Sequence, residues 1–464
     1  MAGRRLKYPV LAAACLLSAM PAMAQEQPPL RAGVDLDPIG TLIEADEQQQ
    51  APPVQPVPKV TTLEVKPPEP QEEAAPVPKK SRPQPEEPYA QQGIKAGGLV
   101  LYPTLGIGAA FTDNVGGDNS HRKSDIGLNL KPSLRIMSDW VRHEYEFTGS
   151  GDFDFYRDES DNDQKEANLR SRLRLDVRRG TTLTLQSGYA LTQEGHEDSD
   201  VPDTAIGDRT DHRFDTSVAL AHNLGRVEAR LTGAAAIQLY EDVDLQGGGK
   251  EDNSDRNYVE PSVALRLGYE ISPALRPFVE GVYEPRRHFE TPDRNGLDRD
   301  SDGIELRAGV AFEPSPIWSG ELALEYLLRD YEDPTLDTID ALGLSGNIVW
   351  RPTELTTVTL TADTSLDETS DPSSSGSRDY TASIDVAHDL RDYLTITSGG
   401  GIEYEDFQGI DQNELILRAR TGMIWRLNNW LAWTLDYDFI YSDSSLPATD
   451  YYENRVTAGI ELRR

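Results

Sequence analysis

Charged side chains recur at every second position in several stretches of this chain. Glu144, Glu146, Asp152 and Asp154 form one such row, and Arg170, Arg172 and Arg174 form the next. Arg418 and Arg420 precede Asp436 and Asp438 in the same manner. Spacing of two puts each row on a single face of a β-strand. Opposed rows of acid and base on neighbouring strands would do no covalent chemistry. They would hold a polar passage open and set a field across it.

Other candidate chemistry is thinner. Asp298, Asp300 and Asp302 resemble the opening of a calcium loop, but its twelfth position, where a bidentate Glu belongs, is Gly309. His121, His143, His196, His212, His222, His288 and His388 lack metal-ligand spacing. A hydrolase could draw on His288 or His388, but neither stands in a recognisable serine–histidine or aspartate–histidine motif. The expectation is no catalytic residue and no cofactor. Cys15 is the one cysteine and lies near the N-terminus, so no disulfide framework or Cys-based zinc site is built.

The elements that must carry those charges begin after a leader. Arg4, Arg5 and Lys7 precede an apolar run from Val10 to Met20, and Ala22-Met23-Ala24 forms a cleavage site. Residues 1–24 therefore read as a signal peptide, with Ala22 and Ala24 directing a cut before Gln25. Residues 25–95 are Pro-rich, interspersed with Glu, Lys, Gln and Val, and cannot build a core. They read as a disordered periplasmic segment, extended at about 3.1 Å per residue, able to reach peptidoglycan or export components in the periplasm.

Residues 96–464 alternate apolar with polar positions throughout. In 430–442, Leu431, Trp433, Leu435, Tyr437, Phe439 and Tyr441 alternate with Ala432, Thr434, Asp436 and Asp438. Short connections such as Arg179-Gly180 and Arg351-Pro352-Thr353 take turns with long polar ones such as Glu194 to Arg209 and Asp367 to Asp379. Trp140, Trp318, Trp350, Trp425, Trp430 and Trp433 all lie at or near short connections, and tyrosines such as Tyr156, Tyr240, Tyr258, Tyr331, Tyr380, Tyr404, Tyr441 and Tyr451 lie towards the other end. Two aromatic girdles flanking an apolar band are expected of a membrane barrel. The reading is all-β: a transmembrane antiparallel up-and-down barrel of about 18 strands, with both termini on the short-turn side. A mean hydropathy of −0.55 suits a barrel, in which only alternate residues face lipid.

The net charge of −34 excludes nucleic acid as a partner. The partners expected are outer-membrane lipid, lipopolysaccharide and the barrel assembly machinery. The cell outer membrane of a Gram-negative bacterium is the expected location.

The stretches Thr112-Asp113-Asn114-Val115 and Ser138-Asp139-Trp140-Val141-Arg142-His143, within the first predicted hairpin, resemble an outer-membrane β-barrel porin family. The likeness extends in layout over 97–464. It implies a porin-like channel, and for some members an association with exopolysaccharide export. The C-terminus departs from the usual pattern of such barrels, ending Ile460-Glu-Leu-Arg-Arg464 and not on an aromatic. Two other functions fit the same residues: a plugged structural anchor or adhesion barrel, and an outer-membrane hydrolase.

Overall fold

The computed structural model describes residues 89–119, 121–195, 201–202, 204–369, 371–445 and 450–464. The signal peptide and nearly all of the Pro-rich segment lie outside the described residues. Eighteen strands follow one another: β1 (Leu99–Thr112), β2 (Asp125–Ser138), β3 (Glu144–Tyr156), β4 (Gln164–Arg178), β5 (Thr181–Glu194), β6 (Arg209–Leu224), β7 (Val227–Tyr240), β8 (Tyr258–Tyr269), β9 (Leu275–His288), β10 (Ser301–Ser315), β11 (Trp318–Tyr331), β12 (Ile339–Thr353), β13 (Thr356–Asp367), β14 (Gly376–Arg391), β15 (Leu394–Gln408), β16 (Asn413–Arg426), β17 (Leu431–Ser444) and β18 (Tyr451–Arg463). Each pairs antiparallel with its neighbours in the chain. β18 then pairs with β1, from Thr104 opposite Arg463 to Thr112 opposite Arg455. Closure pairs the first strand with the last and so removes the free edges of an open sheet, the condition for a sheet surrounded by hydrocarbon, with one partly unpaired stretch between β12 and β13.

Turn chemistry sets the alternation of ends. Arg179-Gly180 and Gly225-Arg226 join their strands in two residues, and both glycines take positive φ, 74° and 70°. Those connections, with 316–317, 354–355 and 392–393, sit at one end of the barrel. At the other end 195–208, 241–257 and 289–300 make long loops. β1 starts and β18 finishes at the short-turn end, as expected. There, Ile94–Ala96 folds back on Leu99–Leu101, Tyr89 packs against Tyr393 with ring centroids 6.0 Å apart, and the Arg463 guanidinium donates to the Tyr89 carbonyl.

Which face is inside follows from reach. Arg266 on β8 meets Glu321 on β11 at 2.6 Å, over the two intervening strands. Arg455 on β18 likewise meets Asp154 on β3. Side chains three strands apart can touch only on the concave face. The charged positions are therefore internal, and the alternate apolar positions point outward. Val263, Leu306, Leu324 and Leu342 stand 56%, 55%, 60% and 71% exposed on that outer face. An apolar surface running around the whole barrel needs lipid to cover it.

One seam departs from regular pairing. The β12–β13 ladder runs from Thr353 opposite Thr356 to Gly346 opposite Ala362 and stops. On its other side β13 stays paired with β14 up to Asp367 opposite Ser377. Beyond Gly346 the Thr364 hydroxyl fills in for the ladder, accepting from the Leu344 amide and donating to the Leu344 carbonyl. Leu366, whose parity along β13 is outward, is buried against Tyr331, Ile339 and Ala341, which point inward from β11 and β12. The upper part of the β13–β14 hairpin thus overlaps the inner surface of β12, as one board laps another. Arg378 on β14 reaches across the lap to the Asp340 carbonyl, 2.5 Å away.

Candidate functional site

The inner wall from β8 to β11 carries a register row of alternating charge. Arg266, Glu280, Arg307 and Glu325 lie directly opposite one another on successive strands. Arg307 is 3.4 Å from Glu280 and 3.1 Å from Glu325, and it also contacts Glu305. Arg266 lies 3.7 Å from Glu280 and rests over the Phe278 ring. A second tier stands nearer the long-loop end. Glu260 accepts from Arg286 at 2.8 Å and from Arg329 at 3.2 Å, and Arg329 also reaches Glu284 at 3.4 Å. All these groups are largely buried. Alternation is what makes that tolerable, because a buried charge without its partner costs several kcal/mol.

The rows expected from the sequence lie on the concave face too, with partners that differ in part. Glu144 faces Arg174 and Glu146 faces Arg172, as expected, with Arg172 and Arg174 3.9 and 3.8 Å from Glu144. Arg170 faces Thr148. Asp152 and Asp154, expected opposite arginines of β4, face Glu166 and Gln164. Antiparallel register explains this: each step up β3 is a step back along β4, so the arginines are used up by the first half of β3. Asp152 turns to Lys131 at 3.2 Å, and Asp154 to Asn129 and Arg455. At the other pair of strands Asp438 faces Arg420, whereas Asp436 faces Gly422 and Arg418 faces Ile440. Arg418 bonds Glu403 at 2.6 Å and Arg420 bonds Asp385.

All six tryptophans lie at or near the short-turn end. Trp318 stacks on Trp350 at 5.2 Å, and Trp425 meets Trp433 edge-on at 6.1 Å. Trp140 and Trp430 stand exposed beside their turns. The tyrosine girdle needs correction. Tyr404 and Tyr441 point outward, but Tyr156, Tyr258, Tyr331 and Tyr451 are buried. Parity puts these four and Tyr240 on the inner face. Arginines cover the inner rings: Arg256 and Arg209 lie over Tyr240 at 4.5 and 5.0 Å, and Arg286 lies over Tyr258 at 4.3 Å. The signal for this was available, since Tyr258 shares parity with Glu260 and Arg266.

What the sequence did not foretell is the connection at 368–375. The sequence there reads only as a long polar connection, Asp367 to Asp379. Glu368 instead projects inward to the wall of β9, four strands from its own, 3.0 Å from His288 Nε2 and 3.3 Å from Arg286. Burial opposes its charge, but Arg286 and His288 outweigh that and hold the carboxyl well below the usual carboxylate range. His288 Nδ1 faces Asp300 at 3.2 Å. Arg299 donates to the Asp371 carbonyl at 2.9 Å and pairs with Asp293, while the Asp337 amide donates to Ser375 Oγ. Beside Glu368 a narrow cleft of about 20 Å³ is lined by Tyr240, Asp255, Arg256, Asp293, Arg294 and Arg299.

These contacts bear on the other chemistry considered. Asp300 is taken by His288, and Asp302 by Arg287 and Tyr283. Asp298, Asp300 and Asp302 therefore do not converge on one centre, and among the described residues no cluster suits a metal ion. His388 sits near the short-turn end on the Thr356 hydroxyl, and His288 near the long-loop end on two carboxylates. The two cannot act together.

Among solved structures, the chain is similar to the FrpB iron transporter of Neisseria meningitidis (F3-3 variant), at 8% identity and a TM-score of 0.37 over 74% of this chain and 62% of that one. It is similar to the copper transporter OprC, at 11% identity and 0.38 over 79% and 66%. It is also similar to the outer-membrane protein opdK of Pseudomonas aeruginosa, at 10% identity and 0.38 over 78% and 99%. The chain thus spans less than two thirds of the length of the two metal transporters. Likeness at this level says nothing of substrate. No curated protein is similar in sequence. Residues 87–464 match the family described as "Putative beta-barrel porin 2", and the chain, a closed outer-membrane barrel with a charged interior, belongs to that family.

Proposed function

We propose that the protein is a channel for polar solutes across the outer membrane. One observation carries this reading: the concave face of a closed barrel is lined by charge and hydroxyl groups, while the convex face is apolar. Such an interior is costly without water or polar cargo in contact with it. β13 to β15 present Thr359, Thr361, Thr381, Ser383, Thr397, Gly399 and Gly401, small side chains interrupted by Asp363 and Asp385. Glu144, Glu146, Asp152, Asp154, Arg170, Arg172, Arg174, Arg418, Arg420, Asp436 and Asp438 complete the lumen in this proposal. The short-turn end, with its tryptophans, faces the periplasm, where residues 25–88 link the pore to export components or peptidoglycan. A polysaccharide chain handed over there is the exported cargo that the family resemblance suggests.

A plugged anchor is the second reading, favoured by the inward-projecting Glu368 and its contacts. Single-channel conductance of the refolded barrel in planar bilayers, with and without residues 25–88, separates the two. Steady conductance steps support the channel. Silence in both forms, together with absent uptake of small sugars into proteoliposomes, refutes it. Steps that appear only on truncation would make the N-terminal segment a stopper.

A further inference from the structure

We infer that the upper β13–β14 hairpin is a hinged flap, which narrows the long-loop mouth when tucked in and widens it by zipping outward onto β12. The inference rests on the channel reading and concerns its regulation.

Three observations support it. First, the hairpin is held on one side only. β13 and β14 remain paired with each other, and β14 with β15 up to Gly376 opposite Gln408, but the ladder to β12 ends at Gly346 opposite Ala362. Those residues mark the hinge. Residues 339–345 of β12 keep their pairing to β11 alone, apart from the Thr364 hydroxyl at Leu344 and Arg378 at Asp340.

Second, the sequence fits another arrangement equally well. Continuing the existing register would set Thr364 opposite Leu344 and Leu366 opposite Leu342. Both partners face outward, and Leu342 is the most exposed leucine on the outer wall. Leu366 would then meet lipid beside another leucine, in keeping with its parity. In the tucked state it instead packs on Tyr331, Ile339 and Ala341. One residue thus has two apolar berths, and zipping would supply the missing backbone bonds. An element with two discrete packings is what a two-state gate requires.

Third, the tucked state is latched by charge at its tip. Glu368 engages Arg286 and His288 on β9, and Arg299 grips the Asp371 carbonyl. These bonds belong to the tucked state alone. They set the balance against the ladder bonds gained by zipping.

Gly343 adds a lever. A Cβ at this position would lie 2.4 Å from the Thr364 Cβ, too close for both to stay. Gly343→Ala should therefore expel Thr364 and favour the outward state.

The test uses cysteine pairs in the full-length chain with Cys15→Ser. Leu366→Cys is combined with Ala341→Cys to lock the flap in, or with Leu342→Cys to lock it out. Single-channel conductance is read before and after reduction. The 342/366 disulfide should form and give a step roughly double that of the 341/366 disulfide, with reduction bringing both to one value. Glu368→Gln and Gly343→Ala, which need no cross-link, should shift dwell times towards the larger step. The flap is overturned if both disulfides form and conductance is the same, or if 342/366 never cross-links while 341/366 does. Conduction unaffected by every variant overturns the flap but leaves the channel standing. Silence in all forms, including the outward-locked one, overturns both.

Discussion

Replacing Arg307 by methionine should destabilise the barrel by about 3–5 kcal/mol, the usual consequence of stranding buried charge. The guanidinium is the shared partner of three carboxylates: Glu280 at 3.4 Å, Glu325 at 3.1 Å, and Glu305. Glu325 is fully buried, and Glu280 and Glu305 nearly so. Methionine keeps the side-chain length and removes the charge. The three acids then repel across a space that water reaches poorly, although Glu280 keeps Arg266 at 3.7 Å. Arg157→Met is the control. Its partner Asp158 is 3.9 Å away with both side chains exposed, so the loss there should be below about 0.5 kcal/mol. Urea unfolding of the barrel in lipid vesicles, followed by tryptophan fluorescence, measures both. Adding Glu325→Gln to Arg307→Met should recover roughly 1–3 kcal/mol, because one stranded charge is gone. A loss for Arg307→Met within about 1 kcal/mol of the control would refute the reasoning, since surface pairs of this kind are worth no more than that. So would a double variant no more stable than the single one.

Other outcomes are as specific. Glu368 has a depressed pKa, so its contribution is complete above the ordinary carboxylate range and is lost as pH falls through the lowered value. The stability gap between the native chain and Glu368→Gln should therefore persist from neutral pH to about pH 5 and shrink only in stronger acid; a gap that vanishes by pH 5 would contradict the assignment. Arg294 bonds Asp255, Glu251 and Asn253, joining two long loops. Arg294→Ala should speed protease cleavage within 241–257 several-fold while leaving global unfolding within about 0.5 kcal/mol. Brominated lipids should quench the tryptophans most strongly when the bromine lies near the headgroups, as all six lie towards one end; strongest quenching from the bilayer centre would disprove that placement.

Much of the barrel was legible because period two survives any environment with one wet and one apolar face. The strand expected at 430–442 is Leu431–Ser444. Turn glycines and the end-to-end alternation of loop length supplied the topology. Register between β3 and β4 was not readable, because their connection from Arg157 to Asp163 is long and irregular; counting from the strand ends would set Asp152 opposite Asn168, whereas it faces Glu166. Contacts between strands three or four apart were not readable. Arg266 with Glu321 and Glu368 with His288 depend on curvature and on the lap at β12, which no local pattern encodes. The inward tyrosines failed for a different reason: they were judged by height along the strand, when parity decides the face.

The alternating row on β8 to β11 has an effect beyond stability. Charges of opposite sign at strand spacing form a high-order multipole, and its potential decays within a distance comparable to that spacing. A solute a few ångströms from this wall meets little net field, although the bare charges behind it are full ones. The excess of −34 must then make itself felt elsewhere, in the acidic loops and termini. In the channel proposed above, discrimination by sign would be exercised at the approach to the lumen, and along this stretch of wall passage would be sorted by size and hydrogen-bonding capacity.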